Sequence, residues 1–102
     1  MRYQVRLRKA AETEIAEAAV FYEERRPGLG EGFVHQVERG LAELAERPEA
    51  WPQWHPKRPY RKLLLDRFPF ALFYRVDGDT VTVIAVAHAK RRPGYFLGRE
   101  RP

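Results

Sequence analysis

The chain of 102 residues has no cysteine. That excludes disulfides, thiolate metal sites and cysteine nucleophiles, and it suits a reducing compartment. The histidines are few and scattered, at His35, His55 and His88, so no metal site is expected. No Gly-rich phosphate loop and no Ser/His/Asp spacing is visible. No apolar run approaches the length of a membrane span. The opening MRYQVRLRKA alternates charge with apolar residues instead of building the apolar stretch of a signal peptide. These absences lead us to expect a soluble, cytoplasmic protein with no cofactor, no metal and no membrane partner.

What is present fits one domain with one modest core: 44% of residues are hydrophobic and 13% aromatic. The net charge of +5 hides a sharper pattern. Residues 1–9 carry four basic residues and no acid, residues 10–50 carry ten acids against four bases, and residues 51–102 carry eleven bases against four acids. Such segregation favours an anionic partner on the basic part, although two solvated faces that attract one another within the fold would leave the same record.

Tyr3, Val5 and Leu7 alternate with polar residues, the period of a half-buried strand. From Ala10 to about Arg26 the spacing turns helical, with Ile15, Ala18, Ala19 and Tyr22 on one face. Lys9 and Ala10 offer no N-cap acceptor. Pro27-Gly28 stops this helix, and Gly30 and Gly32 soften the link onward. A second helix, about Glu31 to Arg47, carries the stripe Phe33, Val37, Leu41 and Leu44, and Pro48 ends it. The proline-rich segment from Pro48 to Pro59 reads as an ordered loop whose Trp51 and Trp54 lid the core. A strand from Tyr60 to Phe68 follows, broken by Pro69, then a second from Phe70 to Val76. Asp77-Gly78-Asp79 is a hairpin signal, since Gly accepts the positive φ that such turns require. Thr80 to Ala87 is apolar on both faces, which marks a central, covered strand. The order β-α-α-β-β-β predicts an α+β fold: a small, mainly antiparallel sheet with the N-terminal helical hairpin packed on one face. Residues 1–96 form the domain, and 97–102, LGRERP, form a flexible basic tail with little to bury.

Four pieces, in order, resemble the RelE/ParE superfamily of type II toxin–antitoxin toxins: EIAEAAVFYEE in the first helix, the strand Arg61-Lys62-Leu63-Leu64, then FPFALFYRV, then VIAVAHAKRRPGYF with its strand-His-x-x-Arg close. The resemblance covers Tyr3 to Phe96. It implies a small cytosolic toxin that inhibits growth, serves plasmid stabilisation, is neutralised by a cognate antitoxin and oligomerises mainly through the antitoxin complex. One branch, RelE-like, cuts messenger RNA in the ribosome; the other, ParE-like, poisons DNA gyrase. RelE-like nucleases carry an arginine in the pattern aromatic-Arg-x-x-Tyr, where this chain has Phe70-Ala71-Leu72-Phe73-Tyr74. Alanine can neither hold phosphate nor offset developing charge, so the resemblance points to the ParE-like branch and to a toxin that binds without catalysis.

The residues expected to meet the target are Lys90, Arg91 and Arg92, with Lys57, Arg58, Arg61 and the neighbouring Lys62 beside them. Their alternative role is a solubilising rim, and Arg61, in step with Leu63 and Leu65, could instead pair with a helix glutamate. Candidates for chemistry are His88, a neutral-pH base, and Tyr95. Against these stand a turn-shaping histidine that binds loop backbone, and an aromatic pair, Tyr95 and Phe96, that closes the apolar edge of the sheet. The expected target is DNA gyrase. The alternatives are a ribosome-dependent mRNA endonuclease, using His88, Tyr95, Lys57, Arg58 and Arg91, and a non-toxic module that binds nucleic acid or protein.

Overall fold

The computed structural model describes residues 2–92 and 94–100. Strand β1 (Gln4–Leu7) leads into helices α1 (Lys9–Arg25) and α2 (Leu29–Glu46). A 3-10 turn (Pro48–Ala50) and a loop follow, then β2 (Arg61–Leu64), β3 (Phe70–Asp77), β4 (Thr80–His88) and a closing 3-10 helix (Leu97–Glu100). The sheet runs β1-β4-β3-β2. β1 is parallel to β4, and the other two pairings are antiparallel. The chain therefore has the expected α+β architecture, and β4 lies inside the sheet as its two-sided apolar character requires.

The helical hairpin covers one sheet face. Phe33, Val37 and Leu44 of α2 and Ala11 and Ala18 of α1 meet Leu63, Leu72, Tyr74, Val81, Val83 and Val86 there. Trp51 packs against this cluster, and the Tyr74 hydroxyl donates to the Pro48 carbonyl at 2.5 Å, fixing the loop to the sheet. Gly30 and Gly32 do not soften the interhelical link. They lie inside α2, and a Cβ on Gly30 would collide with the Ala19 carbonyl of α1. Glycine at 30 is what lets the helices approach. The link shortens to residues 26–28, and the Glu23 carboxylate accepts the Gly28 and Gly30 amides at 3.0–3.1 Å, supplying the N-terminal cap that α2 lacks in sequence.

Three expectations change. The strand expected from Tyr60 to Phe68 is only Arg61–Leu64, because the Leu65 amide donates to the Phe70 carbonyl, Arg67 takes a φ of 70° and the chain turns early. The single core becomes two: a second cluster of Tyr60, Ala71, Phe73, Ile84, Ala85, Ala87 and Phe96, with Trp54, Tyr95 and Leu97 packed on it, fills the other face. The expected loose tail is ordered as far as Glu100, since Glu14 holds its Arg99 while Arg75, Arg8 and Tyr60 hold its Glu100; 101–102 lie outside the described residues. The partners jump from Tyr74↔Val83 to Phe73↔Ala85, so Ile84 is a bulge that turns β4 toward both clusters.

Candidate functional site

β3 and β4 join at a tight turn, Asp77↔Thr80 with Gly78 at φ 59°, and their opposite ends open at Phe70↔His88. His88 is the last residue of β4. Its Nδ1 accepts the Lys90 amide at 3.1 Å, its carbonyl accepts the Arg91 amide at 2.9 Å, and its ring meets the Phe70 edge at 5.5 Å. The histidine thus folds the chain back on itself directly after the strand, and Lys90, Arg91 and Arg92 stand exposed on the turn. Pro93, which with Gly94 reads in the sequence as a turn pair after these cations, lies outside the described residues. Ala89 donates to the Pro69 carbonyl at 2.7 Å, which sets this basic turn beside the β2–β3 turn.

Behind the turn lies a half-buried polar network. Tyr95 donates its hydroxyl to Glu14 at 2.5 Å, and Arg91 stacks over the Tyr95 ring at 4.0 Å. Arg99 forks onto Glu14 with two 2.9 Å bonds and also donates to the Ile84 carbonyl, while the Val86 amide donates to Glu14. Burial works against the Glu14 charge, but the bonds from Arg99, Tyr95 and Val86 outweigh it and hold the carboxyl below its ordinary range. Burial first, and then the bond to Glu14, push the Tyr95 phenol far up. A second network holds Glu100: Arg75 forks onto it, Arg8 reaches it at 2.9 Å and Tyr60 donates at 2.7 Å. These contacts, Arg75 foremost, bring Glu100 down to about 2. Arg75 also pairs with Asp77.

The cations of the chain therefore divide. Arg8, Arg75 and Arg99 are consumed by internal acids. Arg61 is consumed too, though not by the expected glutamate: it donates to the Trp51 carbonyl at 2.6 Å and to Glu49 O at 3.4 Å, tying the loop down. It also pairs with Tyr74 on the helix-covered face, opposite to the face of Lys62 and Phe73, so it does not join Lys90–Arg92. Its neighbour Lys62, on the other face, reaches the Phe73 ring at 5.9 Å and lines a small cleft with Arg91, Arg92 and Trp54. Lys57 and Arg58 are exposed on a turn that His55 builds as His88 builds its own, with Nδ1 accepting the Lys57 amide at 3.1 Å. Trp54 ties that loop to Phe96 at 5.5 Å. Lys57, Arg58, Lys62, Lys90, Arg91 and Arg92 have no ion-pair partner among the described residues. The sequence signal for Lys62 was its parity, opposite to that of Arg61.

Beside the turn, β1 has ended and β4 runs on, leaving a groove of about 390 Å³ walled by Glu14, Ala18, Phe21 and Tyr22 of α1 against Phe70, Val86 and His88, with Arg91 at its rim. Phe21 is half exposed there, beneath the Arg25 guanidinium. Ala71 is wholly buried on the second sheet face, opposite Ala87. Among the described residues no helix is long and apolar enough to cross a membrane, and no group of three acids or histidines could hold a metal.

A family model of the ParE toxin of type II toxin–antitoxin systems, parDE, matches residues 5–93. The chain belongs to this family. Solved structures share the fold of this ParE-family chain at identities that speak for fold alone. A chain of a chromosomal ParDE system from P. aeruginosa superposes with a TM-score of 0.75 at 16% identity, over 85% of this chain and 96% of that one. E. coli RelE toxin, a double mutant in the free state, gives 0.67 at 22% identity over 99% and 100%. A chain of the RelBE2 toxin–antitoxin complex from Mycobacterium tuberculosis gives 0.60 at 20% over 86% and 99%. No curated protein matches the sequence.

Proposed function

We propose that this type II toxin acts by binding, with DNA gyrase as its target, through the exposed cations of the β4 turn. The observation that carries this reading is the contrast between unpaired Lys90, Arg91, Arg92 and Lys62 and the consumed Arg61, Arg75 and Arg99. Guanidinium groups free of internal acids keep their donors for carboxylates or phosphates on a partner.

The chemistry of cleavage finds little support. His88 Nδ1 already accepts the Lys90 amide, so the neutral ring carries its proton on Nε2 and has no free lone pair to act as a base. Tyr95 commits its proton to Glu14 and holds it tightly. The position where nucleases of the superfamily have an arginine is a buried alanine roofed by the second cluster. A cognate antitoxin would neutralise the toxin by laying a partly acidic segment, extended or helical, along the groove between α1 and β4 and over the basic turn. Both the target and the antitoxin lie in the cytoplasm.

The test is expression of the chain with and without the neighbouring antitoxin gene. Growth arrest rescued by the antitoxin, with gyrase-linked DNA breaks and unchanged transcript ends, is the expected result. Ribosome-dependent transcript cleavage would replace this reading by the nuclease. No arrest at all would leave a non-toxic binding module.

A further inference from the structure

A cleft of about 750 Å³, larger than the groove, lies where the α1–α2 link meets the β2–β3 turn; it shares Tyr22 with the groove and no residue with the Lys62 cleft. Arg26, Arg67 and His35 line it, with Tyr22, Leu29 and Phe68 as its apolar wall. Its size falls among small-molecule sites. No acid lines it: Glu23 is turned onto the Gly28 and Gly30 amides, and Asp66 lines a separate cleft with Glu43. Neither arginine has an ion-pair partner among the described residues. Arg67 is moreover the one non-glycine described residue with positive φ, at 70°. A side chain in that region carries a backbone cost that glycine would not, and this one lines the cleft.

We infer that this cleft binds a nucleoside monophosphate, its phosphate between Arg26 and Arg67 and its base against Tyr22 and Phe68. Two planar guanidinium forks suit a doubly charged phosphate better than a single carboxylate. Tyr22 and Phe68 meet edge to face at 4.8 Å and form an aromatic wall against which a base can pack. The inference does not depend on toxicity or on the gyrase target, because its phosphate site, Arg26 and Arg67, lies outside the β4 turn and the groove.

Titration of the isotopically labelled chain with adenosine 5′-monophosphate, followed by amide NMR, tests it, with adenosine and inorganic phosphate as reference ligands. Saturable shifts at Gly28, Gly32 and Phe68 are expected, with the nucleotide bound at least about tenfold more tightly than either reference ligand. Arg67→Gly should weaken binding at least about tenfold while raising the melting temperature, since glycine accepts the backbone angle. Arg26→Ala should weaken it similarly, and Arg91→Glu with Arg92→Glu should leave it unchanged. Equal binding of inorganic phosphate or adenosine, undiminished binding to Arg67→Gly, or loss in the Arg91/Arg92 double variant would each overturn the assignment.

Discussion

Arg91 and Arg99 both stack on the ring of Tyr95, at 4.0 and 4.9 Å, yet they serve different ends. Arg99 forks onto Glu14 and a strand carbonyl and is part of the fold. Arg91 has no ion-pair partner among the described residues and is exposed with Lys90 and Arg92. The same division separates Arg61 from Lys62, neighbours on one strand. Residue type alone does not tell a binding cation from a structural one; the acid or carbonyl that awaits it does.

The harshest challenge to that division is an arginine placed where no acid awaits it. Ala71→Arg should destabilise the chain by more than about 3 kcal/mol in urea denaturation, through overpacking and an unpaired buried charge. A stable variant that cleaves RNA would show the second sheet face to be open. Next comes the lock itself. Glu14→Gln leaves the Arg99 charge uncompensated and should cost about 2–3 kcal/mol; a loss below about 0.5 kcal/mol would demote the network to surface decoration. Glu100→Gln should cost about 1–2 kcal/mol. It also carries a pH signature: the folded carboxyl titrates near 2, below its ordinary 4.5, so its contribution is full above pH 4.5 and fades as pH falls toward 2. Acid unfolding of the wild type should therefore steepen across that interval, and the Gln variant should flatten it. Smallest in stability is Arg91→Glu with Arg92→Glu, at most about 1 kcal/mol for the lost stacking on Tyr95, although target engagement should collapse.

Much of this was legible along the chain. Apolar residues on both faces placed β4 inside the sheet, Asp-Gly fixed the β3–β4 turn, and the stripes of α1 and α2 set the helix-covered core. What escaped was non-local. Nothing near Leu97–Glu100 announces that Glu14, 85 residues away, will hold Arg99, so a basic, glycine-containing end read as a loose tail. The second core escaped because Trp54, Tyr60 and Phe96 come from segments with no shared period. That Arg61 parts from Lys62 was within reach, since strand alternation already put them on opposite faces.

The most direct measurement is the affinity of purified DNA gyrase for the wild-type chain and for the Arg91→Glu, Arg92→Glu variant, beside their melting curves. Tight binding by the wild type and at least about tenfold weaker binding by an equally folded variant is the predicted result. Equal affinity of the two, or no gyrase binding by a wild-type chain that severs mRNA on ribosomes, would contradict the view that the free cations grip a target and the paired ones only build the fold.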